Sequence, residues 1–258
     1  MKTTGNTILI TGGGSGIGRG LAEAFHKLGN HVIIAGRRQK NLDETIAANP
    51  GMAAETFDIE NASSIQTFAR HLADTYPNLN IVINNAGIMR PEDLLAQPDG
   101  LADVESTIAT NLLGPIRLIA ALLPQLRRQD RSTIINVTSG LAFVPLAFSP
   151  TYNATKAALH SYTQTLRYQL KSTNVEVVEL IPPYVATELM GSSQASDPRA
   201  LPLQDFLNET LEILKTQPTP PEILVERVKP LRFAAESGKE KYDAFFKTFN
   251  DAMTKAPH

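Results

Sequence analysis

Along the chain, short apolar runs alternate with stretches whose apolar residues recur every three or four positions. Thr7 to Thr11 is a compact apolar run that ends on Gly12-Gly13-Gly14. From Gly16 to Leu28, residues Ile17, Leu21, Ala24, Phe25 and Leu28 fall on one helical face, and Gly29 suits a C-terminal cap. The alternation continues with a strand at His31 to Ala35, a helix at Gln39 to Ala48 and a weak strand at Ala54 to Phe57. A helix follows at Ser63 to Tyr76, then a fourth strand at Asn80 to Asn84. Leu101 to Arg128 predicts a long helical region with a bend or break at Gly114-Pro115. Ser132 to Thr138 predicts a fifth strand, Tyr152 to Ser172 a long helix, and Val175 to Ile181 a sixth strand stopped by Pro182-Pro183. Strands this apolar suit a parallel sheet covered on both faces, so the expected fold is α/β, a doubly wound parallel sheet.

Beyond Thr187 the pattern changes. Gly191 to Pro202 reads as a loop and Leu203 to Leu214 as an amphipathic helix. Pro220-Pro221 could open a helix over Glu222 to Ala235, and a final helix is expected at Asp243 to Met253. No linker divides the chain, so residues 1–258 are expected to form one domain. Residues from about 188 to 215 would be a cover over the site, and those from about 222 to 253 would be C-terminal helices.

Composition narrows the functional classes. Lys and Arg number 24 against 26 Asp and Glu, and that near balance gives no broad attraction to nucleic acid or anionic lipid. No run approaches the about 18 consecutive apolar residues of a membrane span; Leu118 to Leu123 is closed by Pro124. The chain has no cysteine, which excludes disulfides, thiolate metal sites and cysteine nucleophiles. Its absence fits a reducing compartment, and a cytoplasmic location is expected. His26 lies in the first helix, and His31, His71, His160 and His258 show no ligand-like clustering with carboxylates, so no metal site is expected.

The glycines after the first strand read Gly12-x-x-x-Gly16-x-Gly18. A glycine turn opening a helix brings backbone N–H groups and the helix dipole to a pyrophosphate. Gly12 would make the turn, Gly16 would admit the cofactor and Gly18 would allow close helix–strand packing. Taken alone, the turn also fits an ordinary strand-to-helix connection. The second strand ends on Gly36-Arg37-Arg38, where an acidic residue would select the ribose 2′-hydroxyl. Guanidinium groups there suit a 2′-phosphate, which predicts NADP(H) over NAD(H), with Arg37 the first choice of contact and Arg38 the second. Two solvated surface arginines are the alternative. Tyr152 and Lys156 share one helical face. An ammonium beside a phenol lowers its pKa from about 10 and lets the pair exchange a proton with a substrate oxygen. Ser139, at the end of the fifth strand, would hydrogen-bond that oxygen.

This set of motifs resembles the classical short-chain dehydrogenase/reductase family, whose fold is Rossmann-like. The glycine spacing preceded by Thr11, Asn84-Asn-Ala-Gly87, Asn111, Ser139, Tyr152-Asn-Ala-Thr-Lys156 and Pro182-Pro-Tyr-Val-Ala-Thr187 occur in family order, with Pro183 in place of the usual glycine. The resemblance covers residues from about 7 to 187. It implies an oxidoreductase that reversibly reduces a ketone or aldehyde, a small-molecule carbonyl or alcohol, with a non-catalytic NADP(H)-binding regulator as the alternative. It implies that Lys156 also holds the nicotinamide ribose and that Asn111 holds a water linking Lys156 to solvent. It assigns Gly14, Ser15 and Ile17 to the cofactor turn, and Asp58 and Ile59 to the adenine. Asn85, Ala86 and Gly87 fall near the ribose, and Pro182, Val185 and Thr187 near the nicotinamide. For Ile59 and Val185, ordinary packing serves equally well. Leu141, Phe143, Val144, Pro145, Tyr184, Leu189 and Met190 are the candidate apolar pocket. After Ala235 the family pattern lapses, so six strands are expected with a seventh short, displaced or absent. That leaves a homodimer through the two long helices as the implied assembly and puts a tetramer in doubt.

Overall fold

The computed structural model describes residues 1–95 and 101–254. Its first half reads β1 (Thr7–Thr11), α1 (Gly16–Lys27), β2 (His31–Gly36), α2 (Gln39–Ala48), β3 (Ala53–Thr56), α3 (Ala62–Thr75) and β4 (Leu79–Asn84). The second half continues with α4 (Ala102–Ile108), α5 (Gly114–Leu126), β5 (Ser132–Val137), α6 (Pro150–Leu170) and β6 (Val175–Leu180). It closes with α7 (Ser192–Ala195), α8 (Leu203–Lys215), β7 (Glu222–Ile223), α9 (Lys229–Arg232) and α10 (Lys239–Thr254). The strands form one sheet in the order β3-β2-β1-β4-β5-β6-β7, and all pairs are parallel. Chain order runs outward in both directions from β1 and β4, so the carboxyl ends of these two strands flank the crevice where such sheets bind ligands.

The continuous apolar runs follow from burial on both faces. Along β1, Ile8 and Ile10 face α1 and α8, packing with Leu21, Phe25 and Phe206. Leu9 points the other way and joins Ile65 and Phe68 of α3, Leu118 and Leu122 of α5, and Leu166 of α6. α3 is started by Asn61, whose side chain accepts from the backbone N–H of Ser63 and Ser64.

One open expectation is settled and three are corrected. The seventh strand exists, as the two residues of β7 beside β6, and Glu222 to Ala235 is not one helix. Glu179 N–H donates to Pro221 O (3.0 Å) and Ile181 N–H to Ile223 O (3.2 Å), and Ile223 and Val225 are fully buried. Sheet pairing and burial override the helix start that two prolines suggest locally. Gly191 to Pro202 contains α7, and the last helix starts at Lys239.

The bend near Gly114-Pro115 is a π-helical turn, Ala109–Leu113, between α4 and α5. Pro115 falls in the first turn of α5, where no amide partner is needed. By length and composition Ala102–Leu126 would suffice to cross a membrane, which the run-length reading did not anticipate. In this fold Leu118, Ile119, Leu122 and Leu126 of that stretch are buried in the core.

Histidine also clusters with carboxylates after all. His160, Glu179 and Glu222 place ligand-type atoms within 4.8 Å of one another. The cationic partner is already present: Arg232 binds Glu222 through two bonds of 2.7 and 3.0 Å. Glu179 is fully buried, accepting from Thr138 Oγ1 at 2.7 Å and lying 2.9 Å from His160 Nδ1. His71 pairs with Glu55 at 3.0 Å, and His258 lies outside the described residues.

Candidate active site

A cavity of about 530 Å³ opens at the carboxyl ends of the strands and runs from the glycine turn to the catalytic candidates. At one end Gly12 and Gly16 have φ of +68° and +51°, values that side chains with a Cβ rarely adopt. Gly18 lies beneath the turn rather than on the cavity: a Cβ there would sit 2.3 Å from Gly12 O. Thr11 accounts for its place before the glycines. Its Oγ1 accepts from the N–H groups of Asn85 and Ala86, both at 3.1 Å, which ties the end of β1 to the end of β4. Asn85 lines the cavity while its side-chain amide donates to Thr11 O at 3.0 Å, bracing the turn.

The two arginines separate. Arg38 Nη2 donates to Ser15 Oγ at 2.9 Å, against the glycine turn. Arg37 pairs with Glu60 at 2.6 Å. Both line the cavity, but among the described residues Arg37 alone has a carboxylate competing for its guanidinium. Ile59 lines the cavity with Phe57, Asn41 and Leu42, whereas Asp58 does not reach it; its carboxylate accepts from Glu60 N–H at 3.0 Å. Phe57, Asn41 and Leu42 escaped sequence reading, because nothing in their spacing distinguishes them from core or helix surface. Gly14, Ile17, Ala86, Gly87, Pro182, Val185 and Thr187 all line the cavity.

Ser139, Tyr152 and Lys156 meet on its floor. Ser139 follows β5, and its Oγ accepts from Leu141 N–H at 3.1 Å, which leaves its own hydrogen to donate. Tyr152 is buried, and burial pushes its pKa up to about 12, with a hydrogen bond to Ser139 pulling the other way. Lys156 Nζ donates to Val137 O at 2.9 Å and lies 5.6 Å from the centre of the Tyr152 ring. Burial pulls the Lys156 pKa down to about 8. The ammonium was expected to lower the phenol. Burial dominates both groups, and the lysine is engaged with a backbone carbonyl.

Asn111 is fully buried within the π-helical turn. Its side chain accepts from Ile88 N–H at 2.9 Å and donates to Ile88 O at 2.8 Å and Thr155 Oγ1 at 3.3 Å. The amide therefore clamps the segment after Gly87, so a water relay to Lys156 would need other groups of that turn.

The Lys156 shift has a testable sign. Between about 8 and 10.5 the unfolded chain retains a lysine proton that the folded chain has lost, so this group makes stability rise with pH. Tyr152 acts oppositely only above 10.0, where the unfolded phenol ionises and the folded one does not. Thermal unfolding from pH 8 to 10 should thus move the Tm of the wild-type protein upward relative to Lys156→Met. Parallel curves would contradict a lysine that burial makes lose its proton early.

Of the pocket candidates, Leu141, Tyr184, Leu189 and Met190 line the cavity. Phe143, Val144 and Pro145 do not. Val144 is fully buried, and Phe143 packs edge-on to His160 with the Arg232 guanidinium 4.7 Å from its ring centre. Pro145 O accepts from Asn250 Nδ2 at 3.2 Å. Leu231, Phe249 and Met253, from α9 and α10, line the cavity without having been foreseen. They are distant in sequence and belong to a segment whose path depends on β7.

The model of the family described as short chain dehydrogenase matches residues 6–198. The uncharacterized oxidoreductase DltE of Bacillus subtilis (strain 168) is 40% identical over 253 residues, covering 97% of this chain and 98% of its own. A short chain dehydrogenase/reductase from Burkholderia phymatum, solved in complex with NAD, gives a TM-score of 0.79 at 22% identity, over 92% of this chain and 95% of its own. A short chain dehydrogenase from Burkholderia cenocepacia J2315, in complex with NADP, gives 0.78 at 24% identity over 100% of both chains. At those identities the two structures speak to the shared fold.

Proposed function

The chain belongs to the short chain dehydrogenase family, and on that premise we propose that it is an NADP(H)-dependent oxidoreductase that reversibly reduces a ketone or aldehyde to the alcohol. The observation that carries this reading is the continuity of the cavity. The glycine turn and Arg38 stand at one end, and Ser139, Tyr152 and Lys156 at the other.

The residues fit a dinucleotide. Positive-φ glycines leave the backbone open to a pyrophosphate at the start of α1, and Arg38 against Ser15 offers paired donors to a 2′-phosphate. Pro182, Val185 and Thr187 line the approach to the reacting end. When bound, the nicotinamide supplies a hydride to the carbonyl carbon in reduction or takes one from the carbinol carbon in oxidation. The chain supplies the rest. Ser139 donates to the substrate oxygen and stabilises charge growing there. Tyr152 transfers its phenolic proton to that oxygen, so one hydride and one proton are added across the C=O bond. Lys156, 5.6 Å from the centre of the phenol ring, would stabilise the negative charge that grows on the phenol oxygen as its proton leaves, and the hydrogen bond from Ser139 works in the same sense. A phenol held near 12 retains its proton at neutral pH, which suits the reducing direction.

The cofactor preference rests on Arg38 ahead of Arg37, because Glu60 competes for Arg37. Arg38→Ala should raise KM for NADPH roughly 10- to 100-fold, the worth of charge-assisted hydrogen bonds, with little change for NADH. Steady-state rates with both cofactors check this, and equal efficiency with NADH in the wild-type protein would sink the preference. A non-catalytic regulator would instead bind NADPH and turn over no member of a broad ketone and aldehyde panel.

A further inference from the structure

We propose that the substrate is an uncharged ketone or aldehyde bearing an alkyl or aryl arm, and that Phe249 and Met253 of α10 set how long that arm can be. The proposal rests on the reductase reading above and names the substrate class of the same site.

The wall beyond Tyr152 is apolar and built from distant parts of the chain. Leu146 and Met89 are buried against Tyr152, and Met190, Phe249 and Met253 pack on the same cluster. Leu231 closes the side next to Ser139: a Cβ on Gly140 would lie 2.6 Å from Leu231 Cδ1, so glycine is what lets the α9 segment approach the catalytic turn. Among the described residues, two charged side chains besides Lys156 line the cavity outside the cofactor end, Arg90 and Glu188, and both are exposed to solvent. A charge on the buried arm would therefore have no buried counter-ion, and burying an unpaired charge is costly.

α10 is held over this chamber by polar bonds at both ends of its inner face. Tyr242 Oη donates to Phe143 O at 3.1 Å, and Asn250 accepts from Ala147 N–H at 2.6 Å while donating to Pro145 O. Arg199, on the cover side, donates to Ala252 O at 3.4 Å. The helix thus bridges the loop after Ser139 and the cover, and its Phe249 and Met253 complete the wall between them. Thioethers at Met190 and Met253 can repack around arms of different shape, while the Phe249 ring limits depth.

The test is a panel of n-alkyl methyl ketones and aldehydes, aryl ketones, 2-keto acids and ketoses, assayed with NADPH on the wild-type protein, Phe249→Leu and Phe249→Trp. NADPH binding, followed by fluorescence, verifies that each variant is folded. In the wild type, kcat/KM should rise roughly three- to fourfold per methylene until the chamber is full. Phe249→Leu should move that limit to longer arms and Phe249→Trp to shorter ones, with NADPH affinity unchanged. Higher kcat/KM for keto acids or ketoses would overturn the apolar class, and a chain-length profile identical in all three proteins would overturn the length limit assigned to Phe249. Turnover of no carbonyl compound despite bound NADPH would instead sink the reductase reading beneath it.

Discussion

Tyr152→Phe is expected to lower turnover roughly 10²- to 10⁴-fold, the usual contribution of a positioned acid or base, while NADPH still binds. The substitution removes one oxygen from a ring that is already buried and leaves the aromatic packing against Leu146 and Met89 intact. Loss of fold therefore would not account for loss of rate. The hydroxyl is the group hydrogen-bonded to Ser139 and pushed up to about 12 by burial, so its removal takes away the proton that the proposed reduction delivers to the substrate oxygen. Ser139→Ala should fall short of that loss, since it removes a stabilising donor and leaves the proton source. The check is kcat for the two variants with one apolar ketone, beside the NADPH dissociation constant. Retained turnover in Tyr152→Phe would remove this residue from the chemistry.

The second large effect lies outside the chemistry. Glu179→Ala should destabilise the fold by about 3–5 kcal/mol, because it strands two buried polar partners, Thr138 Oγ1 and the His160 ring, at roughly 1–3 kcal/mol each. At the usual scaling for a chain of this size that is a Tm loss of roughly 6–20 °C. Glu179 is fully buried and accepts from Thr138, the residue immediately before Ser139, with His160 Nδ1 at 2.9 Å. It pairs in the sheet with Glu222, and Arg232, bound to Glu222, lies over Phe143. The cluster therefore fastens the short β7 and α9 to the turn that carries Ser139. Glu179→Gln keeps an acceptor for Thr138 and should lose less. Thermal unfolding of the three proteins decides it; equal Tm for Glu179→Ala and wild type would show that the cluster contributes nothing to stability.

What the sequence made legible follows from where the determinants are local. The apolar runs of β1, β2, β4, β5 and β6 are continuous because both faces of a parallel sheet are covered, so each strand could be placed within a residue or two. The glycine turn and the Tyr152–Lys156 spacing are likewise local patterns with one structural use. The sequence leaves a short seventh strand open but does not place it, because the two residues of β7 become a strand only by pairing with β6, a long-range fact that Pro220-Pro221 obscures. Phe143, Val144 and Pro145 were assigned to the pocket by proximity to Ser139, but the chain turns there and points them at His160, the core and α10. Leu231, Phe249 and Met253 took their place because α10 folds back over the site, and no periodicity records that docking. The pairing of Arg37 with Glu60 also needed three dimensions, since Glu60 sits 23 positions from it in the chain.

The most direct test of the central claim is isotope transfer. The wild-type protein is incubated with an n-alkyl ketone and NADPH carrying deuterium at the transferable position of the nicotinamide, and the product is analysed by mass spectrometry. Deuterium on the carbinol carbon of the alcohol, and its loss in Tyr152→Phe, is the predicted result. NADPH that binds while no labelled alcohol forms from any carbonyl of the panel would contradict the assignment of this cavity as a carbonyl-reducing site.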